Sequence, residues 1–366
     1  LDLHSQYLEI KTSVDEAIFK TINDSTYILG ENVVNFEHEF ANWNGSEHCI
    51  GCANGTDAIE IALEALGIGT GDDVIVPAMT WISTAEAVLR VGANPIFVDI
   101  DKDTYCLDCL KVEEYINKKT KAIIAVHLYG YPANVIRLRE ICDNYGLFLI
   151  EDCAQAHGAL VKRDQKVGTI GDIGTFSFFP GKNLGAYGDA GCVVTNNGQI
   201  ATICREIGNH GQINKHNHNR VGRNSRLDGL QAAILSAKLP FLNKWIAHRQ
   251  ELGKKYTELL RFCGVKLPYC PHPNHHAFHL FVVLSDSRDE LSKYLLEKGI
   301  STSIHYPKAL TQMSVFKNYV DHHISHCDYV VAESVAANAI SLPISDQLSI
   351  EHVDFISSSI CEYHER

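Results

Sequence analysis

Lys182 stands in a stretch, 171–191, that carries six glycines and the aromatic residues Phe176, Phe178 and Phe179. Residues 176–179 read as a short aromatic strand, Pro180-Gly181 breaks it, and the glycines let the backbone close around a bulky group. An ammonium enclosed by apolar residues is costly to keep charged. A lysine so placed loses its proton readily and becomes a nucleophile toward an aldehyde. Taken alone, Lys182 reads more plainly as a loop lysine at a strand end. A second group sits upstream, where Leu147–Ile150 reads as a buried strand running into Glu151 and Asp152. Carboxyl ends of parallel strands are where open α/β sheets bind ligands. The plainer alternatives for this pair are a strand ending in water or a helix cap.

An aspartate at such a strand end has a further use. It can pair with a protonated pyridine nitrogen, as pyridoxal phosphate requires if its ring is to accept electrons. The two stretches together resemble the DegT/DnrJ/EryC1/StrS family of sugar aminotransferases. Its Glu-Asp-x-Ala-Gln-Ala-x-Gly pattern stands here as Glu151 to Gly158, and its Ser-Phe-x-x-x-Lys-Asn-Leu pattern as Ser177 to Leu184. Supporting motifs run from about residue 25 to 345.

That resemblance implies an α/β protein of the aspartate aminotransferase type, pyridoxal-phosphate transferase fold type I. A large domain with a mostly parallel, helix-covered sheet is expected over 1–245 and a smaller α/β domain over 246–366. It implies Lys182 as the residue that condenses with pyridoxal 5′-phosphate and then moves protons, with Asp152 at the ring nitrogen and Gln155 at the ring 3′ oxygen. Trp81 is expected to stack on the ring. Gly55, Thr56 and Ser177, with Asn224 from a second copy of the chain, are expected to hold the phosphate. His305 and Tyr306 resemble a substrate-contacting motif, and His210 and Arg220 join them as substrate candidates. Lys215, Arg220 and Arg223 are cationic candidates for a diphosphate.

The implied reaction is ping-pong transfer of an amino group from an amino acid, glutamate, to a nucleotide-linked keto sugar, a dTDP- or UDP-3-keto hexose. The implied assembly is a homodimer with shared active sites, serving deoxyamino-sugar synthesis for O-antigen or another surface polysaccharide. The form Ser225-Arg226-Leu227-Asp228 resembles members that aminate carbon 3. Alternatives are a 4-keto sugar aminotransferase, a sugar dehydratase of the same fold, and a non-catalytic scaffold that binds the cofactor. Dehydratase relatives carry histidine where Lys182 stands. A cysteine desulfurase would need a reactive cysteine on a mobile loop, and no cysteine is marked out by its surroundings.

The elements that must position these residues are legible in outline. Apolar residues at near-helical spacing predict a helix over 7–22 and a second over 33–43. His48–Ala53 reads as a strand, 54–57 as a turn and Ala58–Leu66 as a helix. A Gly-Thr at a helix start directs N–H groups and a hydroxyl toward one point, which suits a phosphate, although plain capping by Thr56 or Asp57 reads as well. Strands at 74–76, 95–99, 122–126 and 191–195 alternate with helical connections, as in a parallel sheet covered on both faces. Residues 209–223 are too polar for core and read as an exposed loop. Helical structure follows over 231–260, interrupted at Pro240, then a strand at 278–283, a helix at 289–298 and a strand at 300–304.

Composition narrows the classes. The 366 residues are 45% hydrophobic and 21% charged, as in ordinary globular proteins, and suffice for more than one core. A net charge of −12 without a basic face argues against nucleic acid. No apolar run reaches the length of a membrane span, and the first residues lack signal-peptide character, so a cytoplasmic location is expected. Of twelve cysteines, Cys49/Cys52 and Cys106/Cys109 form two C-x-x-C pairs. Their separation exceeds zinc-ribbon spacing, so a reduced chain without metal is expected. His272, His275, His276 and His279 are expected to be loop histidines.

Overall fold

The computed structural model describes residues 2–319 and 329–365. Where one helix was predicted over 7–22 there are two, α1 (Leu3–Glu9) and α2 (Lys11–Asn23), followed by α3 (Glu31–Asn44). The break falls at Ile10, whose backbone (φ −117°, ψ 17°) leaves the helical region while its side chain is buried. Burying Ile10 turns the corner that the periodicity does not reveal.

β1 (His48–Cys52) leads into α4 (Gly55–Ala65), β2 (Asp73–Pro77), α5 (Ser83–Arg90), β3 (Asn94–Val98) and β4 (Thr120–Val126). α6 (Val135–Tyr145), β5 (Phe148–Asp152) and a short pair, β6 (Leu160–Lys162) and β7 (Gln165–Lys166), precede β8 (Ile173–Ser177), β9 (Gly191–Thr195) and α7 (Gly198–Gly208). Seven strands form one sheet in the order β1-β9-β8-β5-β4-β2-β3. The five from β8 to β3 are parallel, and β9 is antiparallel to both β1 and β8. Every residue of β2 and β9 is buried, as expected for strands covered on both faces.

The predicted aromatic strand is displaced. β8 ends at Ser177, and Phe178 leaves it to pack edge-on against Phe36 and Phe40, with ring centroids 5.3 and 5.2 Å away. Phe179 is exposed. The strand starts earlier because Ile173–Thr175 pair with β5, and Gly174 and Thr175 pair with β9 as well.

The exposed polar segment carries a hairpin, β10 (Gln212–Asn214) and β11 (Asn217–His218), that its composition did not signal. α8 (Gly229–Lys238) and α9 (Leu242–Leu259) are separated by a 3₁₀ turn containing Pro240, as predicted. The rest holds β12 (Phe281–Leu284), α10 (Arg288–Glu297), α11 (Val330–Asn338), β13 (Ala339–Leu342) and α12 (Ile350–His364). The strand predicted at 300–304 does not form. Ser303 makes a single bridge to Ser341, and the small sheet is instead β12 antiparallel to β13, so this region is not the βαβ unit expected.

Apolar side chains gather in three clusters. One lies around the central sheet, and a second joins α3, β8, β9 and α8 through Phe36, Phe40, Phe176, Phe178 and Leu235. The third is built entirely from residues from Leu252 onward, among them Tyr256, Phe281, Leu295 and Ile356. Cys263, just past α9, and Cys361, in α12, are joined as a disulfide 98 residues apart in sequence, which corrects the expectation of a fully reduced chain. α9 and α12 pack together, and this brings the two thiols within reach. The C-x-x-C pairs lie toward opposite edges of the main sheet, with Cys49 and Cys52 on β1 and Cys106 beside the bridge between Ile100 and Leu107, just past β3.

Candidate active site

Lys182 and Asp152 meet at the carboxyl end of β5. β5 and β8 are parallel neighbours, Asp152 is the last residue of β5, and β8 opens into the turn that bears Lys182. The turn is tightly built. Lys182 N–H donates to the Phe179 carbonyl (2.8 Å), Ala186 N–H to the Phe178 carbonyl (2.8 Å), and Asn183 Nδ2 to the Ala277 carbonyl (2.9 Å). Lys182 keeps part of its surface open, yet enough protein surrounds its amine that desolvation brings its pKa down to about 8 against the opposing pull of Asp152. Asp152 is shifted the other way. Burial raises its pKa, while the Ala154 N–H, the Thr84 hydroxyl and the Lys182 charge all favour the ionised form. Thr84 Oγ1 donates to Oδ2 over 2.9 Å and Ala154 N–H to Oδ1 over 3.2 Å, so both oxygens are held.

Gln155 is oriented by its partners. Its Oε1 accepts from Tyr129 N–H (2.8 Å), which turns the amide nitrogen toward the Tyr306 hydroxyl (2.8 Å). Tyr306 lies beside Trp81, ring centroids 5.4 Å apart, and Trp81 is 55% exposed, a large aromatic face left open at the site. His305 Nδ1 pairs with Ser341 Oγ at 2.8 Å, and burial keeps its pKa low. The His305 carbonyl accepts from the Tyr129 hydroxyl.

The second corner of the site is the start of α4. Asn54 is its N-cap and accepts from Asp57 N–H (2.8 Å), so capping falls to Asn54 rather than to Thr56 or Asp57. A Cβ on Gly55 would lie 2.6 Å from Cβ of Ser177. Only a glycine lets the helix start meet Ser177 this closely. Thr56 Oγ1 lies 2.7 Å from Ser83 Oγ, which opens α5, so three hydroxyls gather near the first N–H groups of α4. Such an arrangement could hold an anion.

The remaining predicted residues lie on the segment between α7 and α8. Ser225 Oγ accepts from Ala53 N–H (3.1 Å) and is buried, whereas Asn224 beside it faces outward. Arg220 is committed to Glu206 (2.7 Å) and Arg223 to Glu60 and Glu64. His210 is exposed, and its backbone joins Arg223 and His218 in the base of the hairpin. None of these side chains forms a hydrogen bond or ion pair with Lys182. Lys215 stands at the hairpin turn.

Sequence reasoning missed Thr84 and Ser83. It also underrated Glu151, which is fully buried and accepts from Gly168, Ile170 and Gly171 N–H and from His127 Nε2. Among the described residues, His127, Glu151 and Cys153 are the one trio spaced to hold a metal ion. Both carboxylate oxygens are already taken, and Ala133 N–H donates to His127 Nδ1, so this is a structural knot. Burial pushes the thiols of Cys106, Cys142, Cys204 and Cys270 up to about 12, and none of them is primed as a nucleophile.

Comparison with known proteins gives one consistent picture. The sequence profile of the DegT/DnrJ/EryC1/StrS aminotransferase family matches residues 9–361. A protein of Geobacillus stearothermophilus described as a pleiotropic regulatory protein is 41% identical, covering 100% of this chain and 98% of the relative. The UDP-N-acetyl-3-dehydro-alpha-D-glucosamine 3-aminotransferase of Acidithiobacillus ferrooxidans is 42% identical, covering 98% and 96%. The crystal structure of Streptomyces venezuelae DesV superposes with a TM-score of 0.96 at 39% identity, covering 100% of this chain and 98% of that one.

Proposed function

The chain belongs to the DegT/DnrJ/EryC1/StrS aminotransferase family, and we propose that it transfers an amino group from L-glutamate to carbon 3 of a nucleotide-linked keto sugar, dTDP- or UDP-linked. The observation that carries this reading is the pairing of Lys182, partly enclosed and with its pKa brought to about 8, with the buried Asp152, both of whose oxygens are held. The carbon-3 assignment leans on the Acidithiobacillus ferrooxidans relative, whose name specifies a 3-aminotransferase.

The residues fit pyridoxal phosphate. The cradle of Gly55, Thr56, Ser83 and Ser177 suits its phosphate, Trp81 offers an open aromatic face for its ring, and Lys182 and Asp152 supply the amine and the acid. When bound, the cofactor supplies an aldehyde that carries nitrogen between substrates and a ring that accepts electrons. Lys182 Nζ, its pKa brought down to about 8, can attack carbonyl carbon when neutral and return a proton when charged, as a general acid–base requires. Asp152 holds negative charge where a protonated ring nitrogen needs it, and Thr84 and Ala154 keep its oxygens from rotating away. Gln155, pinned by Tyr129 N–H, presents its amide N–H groups to the site and steadies Tyr306.

The active unit in this reading is a homodimer, with Asn224, exposed beside the buried Ser225, completing the phosphate site of the neighbouring copy. His305, Tyr306 and the 209–223 segment, with His210 and Arg220, meet the sugar nucleotide. Arg220 and Arg223 already hold carboxylates, which leaves Lys215 as the freer cation for a diphosphate. The third apolar cluster, from Leu252 onward, supports a small domain over 246–366. The product would feed deoxyamino-sugar and surface-polysaccharide synthesis in the cytoplasm.

The test is spectroscopic. Protein reconstituted with pyridoxal phosphate should lose its visible band on adding glutamate and regain it on adding a 3-keto sugar nucleotide, with the aminated sugar identified by mass spectrometry. A band that forms but does not respond to glutamate would favour a scaffold. A response to 4-keto sugars alone would move the reaction to carbon 4.

A further inference from the structure

α8 lies beside the turn that bears Lys182 and grips it at two points. From its first turn, Gln231 accepts Tyr187 N–H at Oε1 over 2.8 Å. From its last residue, Lys238 donates from Nζ to the Gly185 carbonyl over 2.6 Å. The two are seven residues apart, two helical turns, so they share one face about 10 Å apart along the axis. Gly185 is itself pressed onto Pro180, since a Cβ there would lie 2.3 Å from the Pro180 oxygen. The Gly185 carbonyl and the Tyr187 N–H therefore bracket the end of the turn that Lys182 opens.

Lys238 is an expensive residue to keep in this place. It is 1% exposed, and among the described residues no carboxylate forms an ion pair with it. Its charge is met by the Gly185 carbonyl and the faces of Tyr187 and Trp245, 5.0 and 6.0 Å from Nζ. Desolvation lowers its pKa to about 8, with Asp346 opposing. A methionine would fill the same space without a buried charge. What it could not do is hold a carbonyl that the turn itself leaves unpaired.

We propose that Lys238 is a positioning residue for Lys182: by holding the Gly185 carbonyl against α8, together with Gln231 on Tyr187, it fixes the turn that aims the reactive amine. The proposal rests on Lys182 being the amine that takes the cofactor. The spacing Gln231–Lys238 and the partner atoms are specific to this role, because each grips the backbone within five residues of Lys182.

The experiment uses the full chain stripped of cofactor, wild type beside Lys238→Met and Gln231→Leu. Pyridoxal phosphate is added, the attached adduct is trapped with borohydride at intervals, and the modified lysine is located by peptide mass spectrometry across pH 6–10. Circular dichroism and thermal melting report the folded fraction. In the wild type, attachment maps to Lys182. In both variants the rate of attachment at Lys182 is expected to fall about tenfold or more, the scale of misorienting a reactive group, at unchanged folded fraction. Its pH midpoint is expected to rise toward that of an ordinary lysine as the loosened amine meets water. Rates and midpoints equal to wild type in the folded variants overturn the proposal, as does a loss that only tracks unfolding. If Lys238→Met fails to fold, Gln231→Leu decides alone. A wild-type chain modified at some other lysine, or at none, sinks the functional reading instead.

Discussion

The hydroxyl of Thr84 donates to Oδ2 of Asp152 over 2.9 Å, across 68 residues of sequence and within a site where both side chains are almost fully buried. Burial pushes Asp152 toward its neutral form, and this hydrogen bond is one of the interactions that oppose it. Thr84→Val keeps the shape and deletes the donor. A hydrogen bond to a charged group is worth about 1.5–3 kcal/mol, so the glutamate half-reaction, followed by stopped-flow absorbance, should slow by about 10- to 100-fold. Losing a bond that favours the charged form raises the pKa of Asp152, so the acid limb of the pH–rate profile should move to higher pH. Thr84→Ser, which keeps the hydroxyl, should remain close to wild type.

Gly55 touches Ser177 because it has no Cβ, and the added methyl of Gly55→Ala would have to move Ser177 or the start of α4. Overpacking of this kind costs about 1–3 kcal/mol, and it falls where the phosphate is held. Titration of the cofactor-free protein should therefore show pyridoxal phosphate bound at least about fivefold more weakly, on the same scale. Pyridoxal without the phosphate should bind equally well to both proteins. Equal loss for both ligands would place the phosphate elsewhere.

What the sequence disclosed and what it withheld divide along a physical line. The positions of Asp152 and Lys182 at and just past strand ends were legible because those strands have local patterns and parallel strands deliver their carboxyl ends to one place, whereas the roles expected of the two came from the family resemblance. Gly55 and Thr56 were legible as a helix start for the same reason. Thr84, Ser83 and Lys238 were not, since each meets a partner on another element, and no local spacing encodes such pairs. The same limit explains the missed disulfide and the strand predicted at 300–304. Residues 300–304 have a suitable pattern, but β13 pairs along its length with β12 and gives Ser303 only one bridge. Phe178 and Phe179 read as strand by composition, yet the ring cluster of Phe36 and Phe40 pulls Phe178 out of it.

Lys182 makes a pH prediction with a definite sign. Desolvation lowers its pKa from 10.5 to about 8, so its nucleophilic neutral form appears as pH rises through 8 rather than through 10.5. Attachment of pyridoxal phosphate to the cofactor-free protein, monitored by visible absorbance, should climb between pH 7 and 9 and level off above. Asp152 opposes the shift by favouring the charged amine. Asp152→Asn should therefore move the midpoint below that of wild type even as it disables transamination. A midpoint near 10 in the wild type would mean that the amine is solvated and the site differently built.

Glu151, one residue from Asp152, makes a prediction about stability instead of chemistry. Burial acts to raise its pKa, but the His127 Nε2–H and backbone N–H donors outweigh it, and the net shift is downward from 4.5. A carboxyl with a lowered folded-state pKa contributes stability that is present above its unfolded value and is lost as pH falls through the lower folded one. Glu151→Gln keeps the size but turns an amide NH2 toward groups that are themselves donors, and each buried donor left unpaired costs about 1–3 kcal/mol. Urea unfolding at pH 7 should thus show a loss of about 4 kcal/mol, the sum for two such donors at mid-range. The gap between variant and wild type should narrow as pH is taken below 4.5, where the unfolded chain's carboxylate takes up a proton that the folded one, with its lowered pKa, still refuses. A chelator should leave the wild-type curve where it was, because His127 and Glu151 satisfy each other and Ala133 N–H occupies the other ring nitrogen. A chelator-sensitive midpoint would turn the same trio from a knot into a metal site.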